Sequence, residues 1–231
     1  MNSKKTLTDK QNWDAYWNKK DRQNYKLYDI IASFYRRFII KPSLSYYLKK
    51  IFNKNSLLLH AGCGSGQVDK DLLEFFYIHA MDISTQALIC YKNSNQDCSN
   101  HKIFQGSIFE IPIKDESYDG IYNLGVMEHF YEQDLKKILK EFHKILKPEA
   151  YLVLFWPPEF GLSVIVLKFV HIILNNVFNL NIKLHPDEFT RIKSIGKTRK
   201  LLQNCGFELC SFNFSFRDFF THAIIIAKKV S

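Results

Sequence analysis

Three glycines in five residues, Gly62-Cys63-Gly64-Ser65-Gly66, follow directly on the apolar run Ser56–Ala61 (SLLLHA) in a chain that has only 9 glycines among 231 residues. With glycine this scarce, the cluster marks a place where the backbone must bend sharply and keep clear of Cβ atoms. The run before it reads as a buried strand, and the stretch after it, through Phe76, reads as a helix. A strand that breaks into a glycine turn opening a helix is a nucleotide-type site. Asp82 closes the next strand, Ile78–Asp82, twenty residues after Gly62. A carboxylate there can accept both hydroxyls of a ribose.

The alternation continues along the chain. His101–Gln105 and Tyr118–Asn123 read as further strands, with a helix capped by Ser84 between Asp82 and the first of them. Glu132–Leu146 is a strongly periodic helix ended by Lys147-Pro148, and Tyr151–Trp156 is a fifth strand ended by Pro157-Pro158. A helix over Ile195–Asn204 closes at Gly206. Phe207–Phe214 and Thr221–Lys228 read as two last strands able to pair as a hairpin. Strands alternating with helices predict an α/β fold with a mainly parallel sheet. Residues 1–54 read as a helical extension of the same domain, and residues 55–231 as its body, with a helical insertion at 158–190.

The dinucleotide pattern GxGxxG needs glycine at 67 or 69, where Gln67 and Asp69 stand, and no Gly-Lys-Ser/Thr of a P-loop follows. What remains is GxGxG with an acid at the next strand end. LLLHAGCGSGQ, MDIS, GSIFEIPIKDESYDGIYNLGVMEHF and HKILKPEAYLVLFWPP, in that order, resemble the class I S-adenosylmethionine-dependent methyltransferases, and among them the type 11 group. The resemblance runs from about residue 56 to 157, with a looser echo at Ile195–Lys229. It implies a Rossmann-like, seven-stranded, mainly parallel sheet flanked by helices, with a terminal antiparallel hairpin. It also implies S-adenosylmethionine as cofactor and S-adenosylhomocysteine as product. By the same resemblance, Ala61, Gly62, Cys63, Gly64 and Gly66 wrap the methionine end of the cofactor, Asp82 holds the ribose and Ile83 packs on the adenine. The family's usual acid next to the adenine is replaced here by Ser107, with the Ile108 amide beside it. Asn123 and Leu124 fall where a main-chain carbonyl grips the cofactor's amino group, although Leu124 reads equally as ordinary packing.

A sulfonium methyl is already electrophilic, so the protein must mainly align a nucleophile about 3 Å away and exclude water. For a hydroxyl acceptor a general base adds roughly 10²–10⁴-fold. The candidate is His129, in Met127-Glu128-His129 beyond the fourth strand, although Glu128 and His129 read equally as braces of the following helix. A related subgroup binds a divalent metal through E-x-x-E-H at this place. Gly125 stands at the first position here, and no metal is expected. His185 and Arg191 follow the insertion within reach of a substrate mouth or as surface residues, and Lys193, Lys197, Arg199 and Lys200 read as a solvated face.

The net charge of +9 lies wholly in residues 1–54, which carry 13 Lys/Arg against 4 Asp/Glu. Such an extension is either simply solvated or faces an anionic lipid surface, a phosphorylated substrate or nucleic acid. The insertion Phe160–Ile182 is apolar at 15 of 23 positions, with Lys168, His171, Asn175 and Asn179 forming one polar stripe. It is expected either as core packing or, with the basic extension, as a lid for a hydrophobic or membrane-proximal acceptor. Trp13, Tyr16 and Trp17 sit at helical spacing and either cover the cofactor or pack on the sheet. The 5 cysteines form no CxxC pair, and no apolar signal segment opens the sequence, which together predict a cytoplasmic chain. The expected function is methyl transfer to oxygen or nitrogen of a small-molecule, glycan or lipid-linked acceptor. The alternatives are a tRNA methyltransferase and a non-catalytic S-adenosylmethionine-binding module. Phe155-Trp156-Pro157-Pro158-Glu159 lacks the flanking residues of an amino-methylating N/D-P-P-Y/F/W motif.

Overall fold

Apolar runs become strands β1 (Leu57–Ala61), β2 (Tyr77–Asp82), β3 (His101–Gln105), β4 (Tyr118–Leu124), β5 (Leu146–Trp156), β6 (Phe207–Asn213) and β7 (Ala223–Lys229). The computed structural model describes residues 10–18, 33–161 and 188–230. The strands form one sheet in the order β3-β2-β1-β4-β5-β7-β6. The first five are parallel to one another, and β7 runs antiparallel between β5 and β6. The expected terminal hairpin is therefore present, with its second strand inserted next to β5.

Both faces of the central strands are apolar, as a sheet covered on two sides requires. Leu59, Ile121, Leu152, Leu154, Ile225 and Ala227 face one layer, with Leu135, Ile138, Leu139 and Phe142 of helix α4 (Glu132–Ile145). Their strand neighbours Leu58, Tyr122, Val153, Phe155, Ile224 and Ile226 face the other, with Leu44, Tyr47 and Leu48 of α2 (Lys41–Ile51). The basic extension thus contributes a covering helix to the sheet. Of the other described helices, α1 (Lys10–Trp17) precedes the strands, α3 (Thr85–Ser94) lies between β2 and β3, and α5 (Ile195–Gln203) lies between β5 and β6.

Two expectations change. The segment after the glycine turn is not a helix to Phe76 but consecutive turns, with Leu72 and Leu73 amides on the Asp69 carbonyl and Phe75 and Phe76 amides on that of Leu72. Val68, Leu72, Leu73 and Phe76 are buried, which produces the helix-like periodicity. The reason for the broken ladder is Asp69, whose fully buried carboxylate accepts from His60 Nδ1 at 2.7 Å and from the Tyr91 and Tyr122 hydroxyls at 2.9 Å each. Anchoring that side chain between β1, β4 and α3 fixes the backbone in turns. The second change is at Lys147-Pro148, which does not separate helix from strand. β5 begins at Leu146, paired with Tyr118, and a register shift absorbs Pro148 and the left-handed Glu149. The insertion at 158–190 falls mostly outside the described residues, including Lys168, His171, Asn175, Asn179 and His185.

Candidate cofactor and acceptor site

The chain runs from β1 outward through β2 to β3 and then returns to β4 on the other side of β1, so a crevice opens at the carboxyl ends of β1 and β4. The glycine turn lies there. Gly62, Gly64 and Gly66 all have positive φ, at 74°, 53° and 62°. Gly66 is also packed so closely that a Cβ would come 2.2 Å from the Tyr91 ring, and at Gly64 it would come 2.8 Å from the Trp17 ring.

The turn's own hydrogen bonds reveal what it can hold. The Gly62 and Cys63 amides donate to the Met81 carbonyl, the Gly64 amide to Asp82 Oδ2 at 2.9 Å, and the Gly66 amide to the Cys63 carbonyl. Four amides that a phosphate cradle would aim at its ligand are thus already engaged. The surroundings are electronegative as well: burial, then Asp82, then Asp69, push the Cys63 thiol well up. The carboxyl groups of Asp82 and Asp69 thus lie close to the turn.

Asp82 is 8% exposed, and the Ser84 amide donates to its Oδ1 at 2.9 Å. Burial raises its pKa, against the lowering effect of the Ser84 and Gly64 amides. Each carboxylate oxygen keeps a second lone pair for a hydroxyl donor. Beside it, Gly106 donates to the Asp82 carbonyl, and Gln105 Nε2 reaches the Ile83 carbonyl at 2.8 Å. Ser107 and Ile108 follow immediately. Ser107 Oγ accepts from the Phe109 amide at 3.3 Å and shapes a turn, and Ile108 is buried.

At the opposite wall, Asn123 is fully buried. Its Nδ2 donates to the Ala61 carbonyl at 2.7 Å, tying β4 to β1, and its Oδ1 has no partner among the described residues. Leu124 is half-buried and packs with the cluster containing Tyr122 and Phe155. Gly125 turns the chain at φ 62°, and a Cβ on it would lie 3.4 Å from Glu128 Oε1. Met127–His129 form a single 3-10 turn in which all three residues are buried. Glu128 has a pKa raised to about 8, chiefly by burial and secondarily by Glu188, against the lowering influence of its own backbone, His222 and Arg191. Its Oε2 has no hydrogen-bond partner among the described residues. The His129 ring meets Trp13 edge to face at 5.2 Å.

Helix α1 spans the crevice. Asp14 Oδ1 accepts from Ser84 Oγ at 2.6 Å, Trp17 rests on Gly64, and Trp13 reaches His129. The aromatic helix thus packs across the glycine turn and the Met127–His129 turn. The segment after the insertion closes the other side: the Phe189 and Thr190 amides both donate to the Glu128 carbonyl, and Trp156 Nε1 donates to that of Thr190. Arg191 pairs with Glu188. Lys193 pairs with Glu159 at 3.7 Å, and Lys197, Arg199 and Lys200 are exposed.

The sequence-predicted residues Ala61, Gly62, Cys63, Gly64, Gly66, Asp82, Ile83, Ser107, Ile108, Asn123, Leu124 and His129 therefore all lie at the carboxyl edge of β1 to β4 or in the turns that follow. Sequence reasoning missed Asp14, the Asp69 network and the orphaned oxygen of Glu128. For Asp14 a signal existed, since it lies between Trp13 and Trp17 on the helix they share. Among the described residues no three His, Cys, Asp or Glu side chains come together in a metal-ligating arrangement.

The profile of a family described as "Methyltransferase domain" matches residues 59–154. An uncharacterized methyltransferase of Schizosaccharomyces pombe is 31% identical over 121 residues, covering 50% of this chain and 45% of the relative. An uncharacterized protein of Methanocaldococcus jannaschii is 30% identical over 139 residues, covering 59% and 56%. The chain thus spans about half the length of the curated relatives it matches. The fold superposes on magnesium protoporphyrin IX methyltransferase from Synechocystis PCC 6803 with bound SAH, at TM-score 0.66 and 18% identity, covering 96% of this chain and 100% of that one.

Proposed function

We propose that this chain is a class I S-adenosylmethionine-dependent methyltransferase of the type 11 group, transferring a methyl group to oxygen or nitrogen of a small-molecule, glycan or lipid-linked acceptor; the matching methyltransferase-domain profile supports this reading. The cofactor supplies an activated methyl group on a sulfonium. The glycine turn, with no phosphate cradle and with Asp82 and Asp69 close by, fits that cation. In this reading Ala61, Gly62, Cys63, Gly64 and Gly66 enclose its methionine end, and Asp82 receives the ribose hydroxyls. Ile83, Ser107 and Ile108 border the adenine, and Asn123 and Leu124 offer acceptor oxygens to the amino group.

One observation carries the choice of oxygen or nitrogen. Glu128 Oε2, buried and without a partner among the described residues, stands in the turn that also presents His129. A buried carboxyl oxygen left unpaired is costly, so an acceptor that brings a polar group to it is favoured over one that does not. Glu128, neutral below about pH 8, orients the acceptor, and His129 removes its proton as the new bond forms. The closed segment from Glu188 to Ile192 and helix α1 exclude water from both sides.

The test is a pair of substitutions assayed with labelled cofactor. His129→Ala should lower turnover by roughly 10²–10⁴-fold with cofactor affinity nearly unchanged. Glu128→Gln should act mainly on acceptor KM. Undiminished turnover in His129→Ala contradicts the assignment of the base. A salt-dependent complex with tRNA, and methylation of it, would favour an RNA acceptor instead.

A further inference from the structure

A second surface lies beyond the start of β7, at the carboxyl edge of β5, where the π-helical turn Arg36–Ile40 packs against the 3-10 turn Phe216–Asp218. It exposes an unusual number of large aromatic side chains. Phe216 is 67% exposed, Phe34 60%, Phe38 56% and Phe219 43%, with Phe220 and Tyr46 beside them. These rings touch one another: Phe34 and Phe38 at 4.4 Å between centroids, Phe216 and Phe219 at 4.7 Å. Such a patch on a chain in water is unfavourable unless something covers it.

The Phe216–Phe220 tip is built to stay out. Phe219 and Phe220 both adopt left-handed φ of 54°, a conformation that disfavours bulky residues. The strain is held by Asp218, fully buried, whose Oδ2 accepts from the His222 amide at 2.7 Å and from Thr221 Oγ1 at 3.1 Å. The Phe220 amide returns to the Ser215 carbonyl at 3.0 Å. Tyr35 shares a hydrogen bond with Thr221, fastening the tip to the basic segment.

Cations border the aromatics. Arg217 lies 3.7 Å over the Tyr46 ring and Arg37 5.5 Å over Phe38. Arg37, Lys41, Lys49 and Lys50 line the adjoining groove, in which Asp71 is the single acidic lining residue among the described residues and pairs with Lys41. Rings that carry no polar group, pushed outward on a rigid tip and bordered by flexible cations, match the boundary between acyl chains and anionic headgroups. Five of the six exposed rings are Phe, and the two pairs at Phe34–Phe38 and Phe216–Phe219 are tilted rather than parallel, which favours lipid over stacked bases.

We propose that this face, formed by Phe34, Phe38, Phe216 and Phe219 with Arg37 and Lys49, docks the protein on a membrane leaflet containing anionic lipid. Docking is peripheral: among the described residues no helix is long and apolar enough to cross a membrane. The inference stands apart from the methyl-transfer reading, because vesicle binding and cofactor binding are measured separately.

The experiment is co-sedimentation of the full chain with phosphatidylcholine vesicles, with and without phosphatidylserine. The expected result is partition onto the anionic vesicles only, reduced by salt. Phe216→Ser with Phe219→Ser, and separately Arg37→Glu with Lys49→Glu, should each lower that partition roughly tenfold or more. Cofactor binding, read by calorimetry on the same samples, reports that each variant is folded. Equal partition by folded variants, or no preference for anionic vesicles, overturns the proposal. So does a single-stranded oligonucleotide bound more tightly than the vesicles, or a dimer abolished by the Phe substitutions in the absence of vesicle binding.

Discussion

Glu128 combines complete burial with a pKa of about 8, against an ordinary value of 4.5, and the direction of that shift fixes its effect on stability. The folded protein holds the proton more tightly than the unfolded chain. The resulting stabilisation is complete below pH 4.5 and is lost as pH rises toward about 8, with a slope of up to about 1.4 kcal/mol per pH unit. Glu188, His222 and Arg191 face the same carboxyl and tune the upper limit. Urea unfolding of Glu128→Gln across this range should show a flatter pH dependence than the parent, and an unchanged slope would contradict the assigned burial effect. Asp69 is the other buried acid with wide consequences. Removing its carboxylate in Asp69→Ala strands His60, Tyr91 and Tyr122 in the interior. A loss of about 3–5 kcal/mol in unfolding free energy is expected, checked by denaturant melts.

Helix α1 is only eight residues long and has no buried residue. A helix this short is not stable alone and depends on its tertiary anchors. Asp14→Ala removes the bonds to Ser84 Oγ and the Gln86 amide. Hydrogen exchange in Lys10–Trp17 should then accelerate, and cofactor should bind several-fold more weakly, with little change in melting temperature. Protection unchanged from the parent would show that Asp14 does not anchor the helix. The strands were readable because a covered parallel sheet demands continuous apolar runs, and SLLLHA and YLVLFW are just that. The 67–76 segment was misread because its buried residues keep helical spacing while Asp69, whose partners come from β1, β4 and α3, breaks the ladder. No local pattern announces a carboxylate with distant partners. Glu128 was legible only as a polar residue ahead of a helix; the segment 188–192, which folds back from beyond the insertion, donates to its carbonyl and helps to bury it.

At the scale of the whole molecule, the two ends of the sequence's charge asymmetry meet different needs. The acidic groups Asp14, Asp69 and Asp82 gather around the glycine turn, whereas Arg37, Lys41, Lys49 and Lys50 share a groove along α2. That the glycine turn and Asp82 come together was legible from spacing alone. That the turn's amides are already engaged, leaving no phosphate cradle, required the hydrogen bonds themselves. Asp82 joins these features, since it braces Gly64 and Ser84 and retains lone pairs for the ligand. Calorimetric titration with S-adenosylmethionine, of the parent chain and of Asp82→Ala, puts this to the test. Saturable binding by the parent and a loss of about tenfold or more in the variant are predicted, as for a charged hydrogen bond worth about 1.5–3 kcal/mol. No heat at millimolar cofactor, or equal affinity in both proteins, would contradict it.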